Sequence, residues 1–202
     1  MSLCIVANNP YMKYLVIASD GRITKYGEVA GDDFKKLTLI NEHVSIFTSG
    51  IVTCAEELRT VVTSKSKDKN IDEIAMIAQE ESIRINNDFH FKYPNYFEGN
   101  NRTDMATIIG FFDIHRNESG YIKLCRSDGY TPHKIIDSSV QTSGYSQDLA
   151  MSYFLDHFNG SEPCEPMYDA FKYVSESDNS VGGVMKMHVI SNQGTSIYQA
   201  VI

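Results

Sequence analysis

CIVANNPYMKYLVIASDGR, residues Cys4 to Arg22, sets how the rest of the chain is read. Its two apolar runs, Cys4–Ala7 and Tyr14–Ser19, are too short for ordinary helices and carry several β-branched residues. Asn8, Asn9 and Pro10 supply turn chemistry between them, so two strands are expected. Asp20-Gly21 closes the second run. Ile23–Tyr26 follows, before a polar turn at Gly31-Asp32-Asp33. Leu37–Ile40 and Val44–Thr48 read as a hairpin joined at Asn41-Glu42.

The period then changes. Val52, Ala55, Leu58, Val61 and Val62 recur at threes and fours, which predicts a helix. A basic loop, Lys65–Lys69, leads to a second helix, marked by Ile71, Ile74, Ala78 and Ile85 and ending near Asn87. Phe89–Asp104, aromatic and polar with Pro94 inside it, reads as an irregular loop and a surface for a partner. Strands are expected at Ala106–Phe112, Tyr121–Arg126 and Lys134–Ile136. A second helix pair is expected at Ser146–Phe158 and Glu165–Ser177, and two closing strands at Val184–Ile190 and Ser196–Val201. No βαβ alternation is present, which disfavours a doubly wound parallel sheet. The expected fold class is α+β: a four-layer αββα sandwich of two antiparallel sheets flanked by helix pairs, in one domain over residues 1–202.

Composition excludes several functions. The net charge of -8 comes with no basic stripe to neutralise phosphates, so nucleic acid is not an expected partner. No apolar run approaches the ~20 residues of a membrane span. The opening residues lack the basic leader of a signal peptide, and a cytoplasmic protein is expected. Cys4, Cys54, Cys125 and Cys164 form no CxxC pair, and the six histidines show no metal spacing. No cofactor is expected.

Five short motifs carry more. They are Ile17-Ala-Ser-Asp20-Gly-Arg22, Phe34-Lys-Lys36-Leu, Thr48-Ser-Gly50-Ile, Thr142-Ser143-Gly144 and Asp178-Asn-Ser-Val-Gly182-Gly183. In this order they resemble the proteasome beta and bacterial proteasome-related peptidase family of N-terminal-nucleophile hydrolases, over nearly the whole chain. That family keeps a fixed interval from nucleophile to aspartate, lysine and oxyanion glycine. Laid on this chain without a gap, the interval meets Asp20, Lys36 and Gly50, and sets the nucleophile at Cys4.

The resemblance implies a division of roles. The Cys4 thiol would attack an amide carbonyl while its own α-amine, with a pKa of about 8, takes the proton. Lys36 would lower the thiol pKa, and Asp20 would keep that lysine charged. Gly50 would offer its N–H to the oxyanion. Ser143 and Asp178 would hold the α-amine. Ile23, Phe34, Thr48 and Val52 would line the pocket for the substrate's acyl-side residue, and Thr24 would pair with its backbone. Three of those four are apolar, so a neutral apolar side chain is expected there. The resemblance also implies a homo-oligomeric ring and an ATPase unfoldase as partner.

Three departures stand beside it. Cys replaces the usual Thr, Val181 replaces a serine before the Gly-Gly pair, and Met1-Ser2-Leu3 precede Cys4. The amine of Cys4 is therefore free only once the Leu3–Cys4 bond is cut. Two other functions remain open on the sequence: a cysteine-type acylase acting on small amides, and a non-catalytic ring subunit.

Overall fold

The computed structural model describes residues 2–25, 27–96 and 105–202. The chain opens with six strands: β1 (Leu3–Asn9), β2 (Tyr14–Ser19), β3 (Ile23–Lys25), β4 (Glu28–Gly31), β5 (Leu37–Asn41) and β6 (Val44–Ser49). Two helices follow, α1 (Val52–Lys65) and α2 (Ile71–Lys92). Next come β7 (Ala106–Asp113), β8 (Glu118–Cys125), β9 (His133–Ile135) and β10 (Ser139–Gly144). Helices α3 (Gln147–His157) and α4 (Cys164–Ser177) precede β11 (Val184–Ser191) and β12 (Gly194–Val201). Among the described residues this is a mixed α+β fold, with four α-helices and three antiparallel sheets.

One five-stranded sheet has the order β10-β1-β2-β11-β12, and the other β5-β6-β7-β8-β9. β3 and β4 form a small separate ribbon. Side chains alternate across a strand, and β1 shows what that does here. Leu3 and Ile5 pack with Phe154, Phe171 and Val174 of α3 and α4. Cys4 and Val6 pack the other way, with Leu37 and Phe47 of the second sheet. The far face of that sheet holds a third cluster, in which Ile46 and Ile109 meet Leu58 and Val62 of α1 and Ile74 of α2. β1 and β2 are apolar without interruption because both their faces are buried. Each fully buried Leu or Ile contributes roughly 1.5–3 kcal/mol.

Several boundaries differ from expectation. α2 runs on to Lys92, where the Tyr93 N–H closes the last turn on the Phe89 carbonyl. Pro94 then prevents continuation by restricting the residue before it. The start of the expected aromatic loop is thus helical, and residues 97–104 of it lie outside the described residues. The start of α2 is fixed by a capping box, Asn70 accepting from Asp72 and Glu73 while Glu73 accepts from Asn70. β10 was not expected as a strand. Its sequence is polar, and it is strand because β1 offers it a full ladder, with Leu3 opposite Gly144 and Cys4 opposite Ser143.

A buried hydrogen bond ties the two large sheets together, 2.8 Å between Ser45 Oγ on β6 and His188 Nδ1 on β11. Burial first, then the charges of Lys35 and Lys186, hold the His188 pKa down at about 4. The folded protein therefore keeps this imidazole neutral while the unfolded chain protonates it near 6.5. That stabilisation is complete above pH 6.5 and is lost as pH falls from there towards 4, by roughly 3 kcal/mol in total. Urea midpoints measured across this window should fall with pH, and a His188→Leu, Ser45→Ala double variant should flatten that part of the profile. An equal slope in the variant would remove His188 as its source.

Candidate active site

The termini of six strands meet at one end of the two large sheets. β1 begins there, beside the end of β2 and the end of β10, since Cys4 lies opposite both Ser19 and Ser143. β11 begins there too, with Lys186 opposite Ser19. In the second sheet β5 begins and β6 ends at the same place. The segment between β2 and β5 folds over this end. Phe34 N–H donates to the Gly21 carbonyl at 2.8 Å, and Val184 N–H to the Asp32 carbonyl at 2.6 Å. Short loops at one end therefore gather residues far apart in sequence.

The centre of the site is an ion pair. Lys36 Nζ lies 2.8 and 2.9 Å from the two oxygens of Asp20 and 2.5 Å from the Arg22 carbonyl. Both side chains are almost wholly buried. Asp20 Oδ1 also accepts the Leu3 N–H at 2.8 Å, and Oδ2 accepts the Arg22 N–H at 3.3 Å. The carboxylate thus fastens the start of β1 to the lysine of the other sheet. Burial lowers the lysine pKa and raises that of the aspartate, and in each case the partner's charge opposes the shift.

Cys4 is in a different environment from the one expected. It is completely buried, in the cluster with Val6, Leu15 and Phe47. Burial first, then the Asp20 charge, pushes its thiol well above the usual range. This is opposite to the direction expected from Lys36.

The remaining expected residues lie around the same end. Gly50, between β6 and α1, has φ 112°, which a side chain would strain. Ser143 is paired with Cys4 in the ladder, while the hydroxyls that reach Asp178 are those of Ser146 and Ser180, each at 2.6 Å. Burial would raise the Asp178 pKa, but these bonds outweigh it and hold the carboxyl below its ordinary value. Val181 is buried in the cluster under α4, so Ser180 carries the polar contact in that loop. Ile23 and Thr24 lie on β3, half-buried, and Val52 opens α1.

Two residues not singled out from the sequence belong here. Ser2 is 9% exposed, and its carbonyl accepts the Tyr145 N–H at 2.7 Å. Gly144, φ 109°, makes room for it, because a Cβ there would stand 1.8 Å from the Ser2 carbonyl oxygen. Continuing the alternation of β1 places Ser2 on the face of Cys4, one step nearer the strand end. Among the described residues its hydroxyl has no hydrogen-bond partner. The second is Arg59 of α1, buried and donating to Thr48 Oγ1, with its guanidinium 5.5 Å from the centre of the Phe34 ring. Thr48 in turn donates to the Ala55 carbonyl at 3.0 Å. A cation therefore lies against two of the residues expected to line an apolar pocket. The signal in the sequence was position, since Arg59 lies on the stripe of Ala55, Leu58 and Val62.

No protein-family model matches the chain, and no curated protein matches it.

Removing one member of the buried pair leaves the other charged and desolvated, at a cost of about 3–5 kcal/mol. Lys36→Met should lower unfolding stability by that amount in urea titration. Adding Asp20→Asn to it should recover a large part. Unchanged stability in Lys36→Met would show that the pair does not hold the strand ends together.

Proposed function

We propose that the chain is an N-terminal-nucleophile amidohydrolase, a proteasome-like peptidase, and that its three apolar clusters separate the layers of an αββα sandwich of that type. The observation that carries this reading is the buried Asp20–Lys36 pair bonded to the first residues of the first strand. A buried lysine held by a carboxylate at a chain start has a chemical use there. It favours negative charge developing on a nearby nucleophile.

The nucleophile we assign is Ser2 rather than Cys4. The Leu3 N–H and the Lys36 ammonium share one oxygen of Asp20, so Ser2 is the residue joined directly to that junction. It is slightly exposed and its hydroxyl is uncommitted, whereas the Cys4 thiol is sealed among apolar side chains with a raised pKa. Cutting the Met1–Ser2 bond frees the α-amine of the same residue. That amine takes the hydroxyl proton as the oxygen attacks the substrate carbonyl, then delivers it to the leaving amine. The resulting ester is hydrolysed by water, which returns the serine. The Gly50 amide is the candidate oxyanion donor, and Asp178 with Ser146 and Ser180 supplies a polar wall beside the amine. The same reading carries a ring of identical subunits fed by an ATPase unfoldase. The exposed Leu149 and Leu155 of α3 and Tyr173 of α4 give apolar surface for contacts between subunits.

A panel of fluorogenic peptide amides tests this on protein whose first residue is checked by intact mass. Ser2→Ala should lose at least about 10³-fold in turnover. Cys4→Ala should keep most of it, at a stability cost of about 1 kcal/mol. Loss of activity in Cys4→Ala with Ser2→Ala unaffected would return the role to the thiol. Silence of the unaltered protein on every amide would favour a non-catalytic subunit.

A further inference from the structure

We infer that the pocket for the acyl-side residue binds a side chain bearing a carboxylate, with Arg59 as its receptor; the inference rests on the amidohydrolase reading above. Arg59 is buried, 5% exposed. Its hydrogen bond goes to a neutral hydroxyl, Thr48 Oγ1. Among the described residues no carboxylate forms an ion pair with it. Glu56, one turn earlier on α1 and exposed, opposes the loss of its charge only through space. A desolvated cation lacking a bonded anion costs stability, and buried charges are normally paired or bound to a ligand. Burial lowers the Arg59 pKa to about 10, so it is still charged at neutral pH.

Position gives this charge a role. Phe34 and Thr48, the two residues Arg59 touches, belong to the group assigned to the acyl-side pocket. Arg59 also lines a cavity of about 490 Å³ between α1 and β5, together with Lys35, Thr38, Glu56 and Thr60. Lys35 and Lys67 add two more positive charges at its wall, against the one carboxylate of Glu56. An arginine fork donates to both oxygens of a glutamate or aspartate side chain. A neutral apolar side chain in the same place would leave the guanidinium unpaired. This reverses the apolar preference expected from Ile23, Phe34 and Val52.

The test uses the full chain and peptide amides that differ only at the acyl-side residue: Glu, Asp, Gln, Leu and Arg. Glu or Asp should be cleaved with kcat/KM at least about tenfold above Gln and Leu. Arg59→Met should abolish that preference, and Arg59→Lys should retain part of it. Calorimetry with uncleaved N-acetyl peptides ending in Glu or Gln provides a readout independent of turnover. It should give tighter binding of the Glu peptide, lost in Arg59→Met. A preference for Leu, or an acid preference unchanged in Arg59→Met, would overturn the inference while leaving the hydrolase reading intact. Arg59-dependent binding of the Glu peptide without cleavage of any amide would support the receptor and overturn the hydrolase. Neither binding nor cleavage would overturn both.

Discussion

Asp20 and Lys36 bring opposite charges into a space nearly closed to water, and the end of the molecule is arranged around them. The carboxylate receives the ammonium, the Leu3 N–H and the Arg22 N–H, so its lone pairs are well used. The ammonium donates to the Arg22 carbonyl as well as to both carboxylate oxygens. Such a pair is weak evidence for net stability, because desolvation cancels much of the attraction. Its effect is positional. It links the first strand of one sheet to the first strand of the other, and it sets a fixed positive charge beside the opening residues of the chain.

The fold was largely legible where burial is two-sided. Cys4–Ala7 and Tyr14–Ser19 read as strands because neither face of β1 or β2 meets water, which leaves a continuous apolar run. β10 was not legible. Ser139–Gly144 is polar and becomes a strand through its ladder with β1, an interaction invisible in local composition. The aromatic residues from Phe89 on read as loop, which ends α2 too early. The helix in fact persists to the last residue that Pro94 permits.

Spacing along the chain groups Asp20, Lys36 and Cys4; the first two form a buried ion pair, and Cys4 lies in an apolar cluster. The apolar cluster around Cys4 does more to define it than its distance in sequence from the lysine. Ser2 reads from the sequence as part of a leader, yet the hydrogen bonds of Leu3 and Tyr145 fix the course of the chain there. Arg59 was hidden for another reason. A basic residue in a helix is ordinarily read as solvated, and only the stripe position of Arg59 marks it as inward-facing.

The central claim is that Ser2, freed at its amine and joined through Leu3 to the Asp20–Lys36 pair, forms the covalent intermediate. The most direct measurement is mass mapping of the protein after brief reaction with an activated acyl ester, with proteolysis at low pH to preserve the ester. The account predicts a single acyl group on the peptide beginning at Ser2, absent in Lys36→Met. An acyl group on Cys4, or equal labelling in Lys36→Met, would contradict it.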